Sequence, residues 1–90
     1  MEEIIDSIIK QLINIVKNGG EEEYLEYYDG NKKYKIRVTH DFFEIIKADE
    51  KVRIDWLGIG ALDLDGALDI DVSLLEKLFF NIVRNMNFLE

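Results

Sequence analysis

Along the first eighteen residues, Ile4, Ile5, Ile8, Ile9, Leu12, Ile13 and Val16 recur at the i, i+1, i+4 spacing of one helical face. Glu3, Ser7, Lys10, Gln11, Asn14 and Lys17 fill the other side. The pattern predicts an amphipathic helix. Asn18-Gly19-Gly20 ends it, because glycine reaches the left-handed conformation a helix C-terminus needs.

From Glu23 to Thr39 the period changes from helical to alternating. Leu25 and Tyr27 alternate with Glu22, Tyr24 and Glu26; Tyr34, Ile36 and Val38 alternate with Lys33, Lys35 and Arg37. This predicts a β-hairpin around Asp29-Gly30-Asn31. An Asp29-Gly30 turn sets Glu26 against Lys33 and Glu22 against Arg37. A Gly30-Asn31 turn sets Glu26 against Lys35 and Tyr27 against Tyr34. Both keep the same apolar face, and both oppose acids to bases. Phe42 to Lys47 is expected as a strand, joined through Ala48-Asp49-Glu50 to a second strand over Lys51 to Leu57. The competing reading is a short helix opened by Asp41 with Glu44 three residues on. The run of Phe, Phe, Ile and Ile favours the strand.

Gly60-Ala61-Leu62-Asp63-Leu64-Asp65 is repeated as Gly66-Ala67-Leu68-Asp69-Ile70-Asp71. Each copy alternates apolar with acidic residues, as a half-buried strand does. A three-residue turn at Asp65-Gly66-Ala67 keeps the apolar faces together. It sets Leu64 against Leu68, Leu62 against Ile70, and Asp63 against Asp69, so carboxylates stack on the exposed side. Ser73-Leu74-Leu75-Glu76 reads as a capping box. Leu74, Leu75, Leu78, Phe79, Ile82, Val83 and Met86 then form a second helical face, with Phe80 on its flank. The expected class is α+β in two layers: an N-terminal helix, an antiparallel meander of four to six strands, and a C-terminal helix.

Ninety residues with 48% apolar content suit one small domain over residues 1–90 and exclude intrinsic disorder. No apolar run reaches the ~20 residues of a bilayer span. The acidic start Glu2-Glu3 is unlike a secretory leader, so a cytoplasmic location is expected. The absence of cysteine removes disulfides, thiolate nucleophiles and Cys-based metal sites. A net charge of −8 argues against direct binding to nucleic acid or to an anionic membrane.

The charge is segmented. Residues 21–29 hold five acids and no base, and residues 32–53 hold seven bases and four acids. Residues 54–76 hold six acids and no base. Asp55, Asp63, Asp65, Asp69 and Asp71 are therefore the least compensated group. They read as a solvated face, as a docking surface for a basic partner, or as a divalent-cation site. Asp63-x-Asp65-Gly66 is similar to part of an EF-hand loop, but Ala61 and Val72 stand at its first and closing ligand positions. That departure disfavours an EF-hand; a calcium-dependent domain stands as a second alternative, with no metal ligand set assigned.

Catalytic chemistry is sparse. His40 is the one imidazole, and Ser7, Ser73 and Thr39 are the only small hydroxyl side chains. Gly58-Ile59-Gly60 lacks the rest of a phosphate loop. No enzyme activity and no cofactor are expected. Tyr27, Tyr34 and Trp56 are assigned to the core. Tyr24 and Tyr28, on the hairpin's outer side among Glu22 and Glu26, are candidate contact residues.

In size, charge and aligned aspartates, the chain resembles phage-encoded inhibitors, including anti-CRISPR proteins that mimic DNA. The resemblance implies a non-enzymatic module that blocks the basic cleft of a nucleic-acid-binding protein. Asp63, Asp65, Asp69 and Asp71 would contact the cleft, assisted by Glu21, Glu22, Glu23 and Glu26. The alternative expectation is a structural homo-oligomer, such as a homodimer, formed through strand edges or flanking aromatics.

Overall fold

A computed structural model describes residues 3–62 and 68–88. Helix α1 (Glu3–Asn18) is followed by strands β1 (Glu22–Asp29), β2 (Lys32–Thr39), β3 (Phe42–Lys47) and β4 (Glu50–Asp55). These four strands form one antiparallel sheet in sequential order. A 3₁₀ turn (Trp56–Gly58) leads to a short pair, β5 (Gly60–Leu62) and β6 (Leu68–Ile70), and then to helix α2 (Val72–Phe88). The architecture is α+β: helix, antiparallel sheet, helix.

Helix α1 ends where its glycines lie. Gly19 adopts φ +71° and its N–H reaches the Ile15 carbonyl at 2.9 Å. The buried stripe of α1 is Ile4, Ile5, Ile8, Leu12 and Ile15. The expected stripe omitted Ile15 and included Ile13, which is only half-buried and lies outside the core cluster. At ~100° per residue, Ile15 shares a face with Ile5, Ile8 and Leu12, while Ile13 falls on the flank.

The first hairpin turns at Gly30-Asn31, pairing Tyr27 with Tyr34 and Glu26 with Lys35. Gly30 has φ +63° while Asn31 is not in the positive-φ region, the pattern of a type II′ turn. Residues 42–47 are strand rather than helix. Asp41 does not open a helix there; its N–H and that of Phe42 donate to the Thr39 hydroxyl at 3.2 and 3.1 Å. That hydroxyl donates in turn to the Phe42 carbonyl at 3.0 Å, which fixes the β2–β3 connection.

The next strand begins one residue earlier than expected, at Glu50, and stops at Asp55 rather than Leu57. Trp56 ends it by turning inward. Its backbone N–H bonds to the Asp41 carbonyl at 3.0 Å and its indole N–H to the Thr39 carbonyl at 2.8 Å. The ring packs 5.1 Å from Phe43, so strand geometry yields to burial of the indole.

Both helices lie against the face carrying Tyr34, Ile36, Val38, Phe43 and Ile45. From α2 come Leu75, Phe79, Val83 and Met86. Tyr27 joins the hairpin to this helix, edge-on to Phe79 at 5.3 Å and to Phe80 at 6.1 Å. Phe80 is a partly buried margin of the core. Leu74, expected on the buried face, is exposed one position outside it. Each fully buried large side chain contributes roughly 1.5–3 kcal/mol of transfer free energy.

Two expectations at the C-terminal side are corrected. The α2 cap is Asp71, not Ser73: the Leu74 N–H donates to Asp71 Oδ1 at 3.1 Å, and the Leu75 N–H to the Asp71 carbonyl at 2.9 Å. In the repeat, β5 and β6 pair Gly60 with Ile70, Ala61 with Asp69, and Leu62 with Leu68. Asp69 therefore faces Ala61, not Asp63. The pairing is shifted by two residues from the expected register, so Asp69 is not set against a like charge. Asp63, Leu64, Asp65, Gly66 and Ala67 lie outside the described residues.

Candidate protein-binding surface

With both helices on one side, the other face of the four-stranded sheet is open. Alternation puts Glu22, Tyr24, Glu26 and Tyr28 of β1 on it, with Lys33, Lys35 and Arg37 of β2. Phe42, Glu44 and Ile46 follow from β3, and Lys51, Arg53 and Asp55 from β4. One rung across the sheet reads Tyr24, Arg37, Glu44, Arg53.

Glu44 is the hub of this rung. Its side chain is only 6% exposed, yet it lies on the open face, covered by the arginines on both sides. Arg37 approaches one carboxylate oxygen and Arg53 the other, each at 3.5 Å. Phe42, on the adjacent rung, takes both guanidinium groups over its ring, Arg53 at 3.9 Å and Arg37 at 5.4 Å. The two arginines are held from below by charge and from the side by an aromatic plane. None of Arg37, Phe42, Glu44 and Arg53 was assigned to the binding surface from the sequence. Their alternation was visible, but a rung exists only once the register of three strand pairs is known.

On β1 the bases lean diagonally. Arg37 faces Tyr24 but donates from Nε to Glu22 at 3.0 Å. Lys35 faces Glu26 but places its ammonium 4.4 Å over the Tyr24 ring. Lys33 faces Tyr28 and pairs with Glu26 at 2.6 Å. Each base reaches the residue two positions earlier in β1 than the one it faces, the diagonal neighbour within reach of long side chains. The hydrogen bond to Glu26, with its charge, raises the Lys33 pKa above its ordinary value. The hydrogen bond to Glu22 raises Arg37 against an opposing effect of burial. The Tyr24 hydroxyl also donates to Glu22, at 3.2 Å. Tyr24 remains 50% exposed and Tyr28 59%.

The sequence-assigned residues are thus divided. Glu22, Tyr24, Glu26 and Tyr28 come together on one strand of the open face. Asp55 lies on the same face at the opposite edge, facing Phe42 across the β3–β4 pair. Asp71 is committed to the α2 cap. Asp69 has a backbone place opposite Ala61, and Asp63 and Asp65 are outside the described residues.

Beyond the open face, His40, Asp41, Asp55, Trp56, Leu57 and Gly58 line a depression of about 640 Å³. His40 Nδ1 is 3.5 Å from Asp41 Oδ1, and none of the described lining residues offers a hydroxyl, thiol or amine side chain. Thr39, next to it in sequence, has its hydroxyl engaged by backbone groups. Among the described residues no group of three His, Cys, Asp or Glu side chains is placed to hold a metal ion. No helix among them is long and apolar enough to cross a membrane.

No family model, curated protein or solved structure matches this chain.

Proposed function

We propose that this protein is a non-catalytic binding module that engages another protein through the β1 side of its open sheet face. The observation that carries the reading is the pair Tyr24 and Tyr28, half exposed and alternating with Glu22 and Glu26 on the face turned away from both helices. Tyrosine and arginine are enriched among the residues that carry interface energy, and here Tyr24 shares its rung with Arg37 and Arg53. The partner is expected to present a basic surface, because β1 carries four acids and no base of its own. A nucleic-acid-mimic inhibitor, of the anti-CRISPR kind, is the narrower form of this proposal. It asks more of the aspartates, one of which caps a helix.

The test compares wild type with the Tyr24→Ser/Tyr28→Ser variant as immobilised baits in cell extract, at low and moderate salt. A basic protein held by wild type, released by salt and lost with the variant supports the reading. Equal recovery by both baits places the contact elsewhere. For a partner so found, competition by duplex DNA or RNA supports the mimic form. Binding unaffected by either nucleic acid removes that form and leaves the broader reading standing.

A further inference from the structure

Strand β1 is an edge of the sheet. It is eight residues long, contains no proline, and pairs with β2 in continuous register from Glu22 to Asp29. Antiparallel ladders alternate, and a two-residue turn makes the residues flanking it a hydrogen-bonded pair. Asp29, Tyr27, Leu25 and Glu23 therefore exchange their backbone bonds with β2. The N–H and C=O groups of Tyr28, Glu26, Tyr24 and Glu22 point away from it. Among the described residues, no backbone hydrogen bond outside the ladder reaches β1.

Proteins blunt such edges with proline, bulges, lysine or a covering segment. The opposite edge, β4, carries Lys51 and Arg53, the latter anchored on Phe42. The β1 edge carries no proline, bulge or lysine; it is charged as well, but with acids only. Their identity selects what can pair there. A second copy adding its own β1 would bring four more acids and no base to the seam. An extended segment bearing lysine or arginine would repeat on the free side of β1 what Lys33 and Arg37 do on the β2 side.

We infer that β1 accepts a basic, extended segment of another protein as a fifth strand, bound by main-chain hydrogen bonds at Glu22, Tyr24, Glu26 and Tyr28. This rests on the protein-binding reading and supplies its mode of contact. Main-chain bonds would supply affinity, the carboxylates would select a basic strand, and the two tyrosines would pack on its open-face side chains.

The test uses a capped peptide of alternating lysine and valine, matched to β1 in length, titrated into the isotopically labelled full chain. Binding is expected to slow hydrogen exchange at the amides of Glu22, Tyr24, Glu26 and Tyr28. Methylating alternate peptide nitrogens removes the donors and keeps the charge, and it is expected to weaken binding by at least about tenfold. Equal binding of the methylated peptide overturns strand addition while leaving a charge-directed protein contact intact. No binding of either peptide also overturns strand addition, and the tyrosine-variant capture then decides the broader reading alone. Protection of the same four amides without peptide, together with a dimer in sedimentation, overturns the inference in favour of a second copy.

Discussion

At Ala48 the backbone takes φ +52°, a left-handed conformation that costs a non-glycine residue roughly 1–2 kcal/mol. Ala48 and Asp49 make the turn between Lys47 and Glu50, a tighter link than the three-residue connection the sequence suggested. Glycine at this position relieves the steric cost but adds about 0.4–1 kcal/mol of unfolded-state entropy. The steric term is the larger. Ala48→Gly is therefore expected to stabilise the fold by about 0.5–1 kcal/mol, read as a higher denaturation midpoint at unchanged slope. A midpoint that stays or falls would show that the turn absorbs the strain. Gly19 and Gly30 were legible in the sequence because glycine announces its conformation. Ala48 was not, since nothing in an alanine marks a positive φ. Glu44 was hidden for another reason. Its local spacing from Asp41 imitates a helix cap, and its true partners, Arg37 and Arg53, lie seven and nine residues away on two other strands.

The elements were more readable than their ends and pairings. Both helices follow from apolar spacing, and the meander from alternation, because burying one face imposes those periods. The cap of α2 shows where this fails. Ser73 and Glu76 satisfy the capping-box pattern, yet Asp71 lies two residues earlier and accepts the Leu74 N–H. Helix α2 therefore begins at Val72, whose partly buried side chain packs against the core. Two cap-competent residues stood close together, and tertiary burial of the intervening valine chose between them. Asp71→Ala is expected to cost about 1 kcal/mol, the usual loss for an N-cap carboxylate, and Ser73→Ala only a few tenths. Thermal or denaturant unfolding of the two variants decides it, and a reversed order would return the cap to Ser73. The repeat failed in the same way. Its alternation was compatible with several turns, and the observed pairing sets Asp69 against Ala61.

At the scale of the whole molecule, the question is how a net charge of −8 acts on a chain this small. The bases are concentrated in residues 32–53, and the Lys33–Glu26, Arg37–Glu22, Arg37–Glu44 and Arg53–Glu44 pairs lie on the open face. Lys33 and Glu26, with side chains 57% and 53% exposed, form a pair of the kind worth little in water. The acids of residues 54–76 have no base in their own segment. Two like charges about 10 Å apart in water repel by roughly 0.4 kcal/mol, and that repulsion fades over a screening length of about 10 Å at 0.1 M salt. Several such pairs exceed what an exposed pair such as Lys33–Glu26 contributes. Raising sodium chloride from very low to about 0.15 M is expected to stabilise the fold by on the order of 1 kcal/mol, a rise in melting temperature of about 4–8 °C. Circular dichroism melts across a salt series measure it. A fall would mean that the Glu22–Arg37–Glu44–Arg53 rungs hold the fold more strongly than their exposure implies. The same series separates stability from recognition. Screening weakens contact between an acidic strand and a basic partner while it strengthens the free fold, so partner release on adding salt cannot be attributed to unfolding.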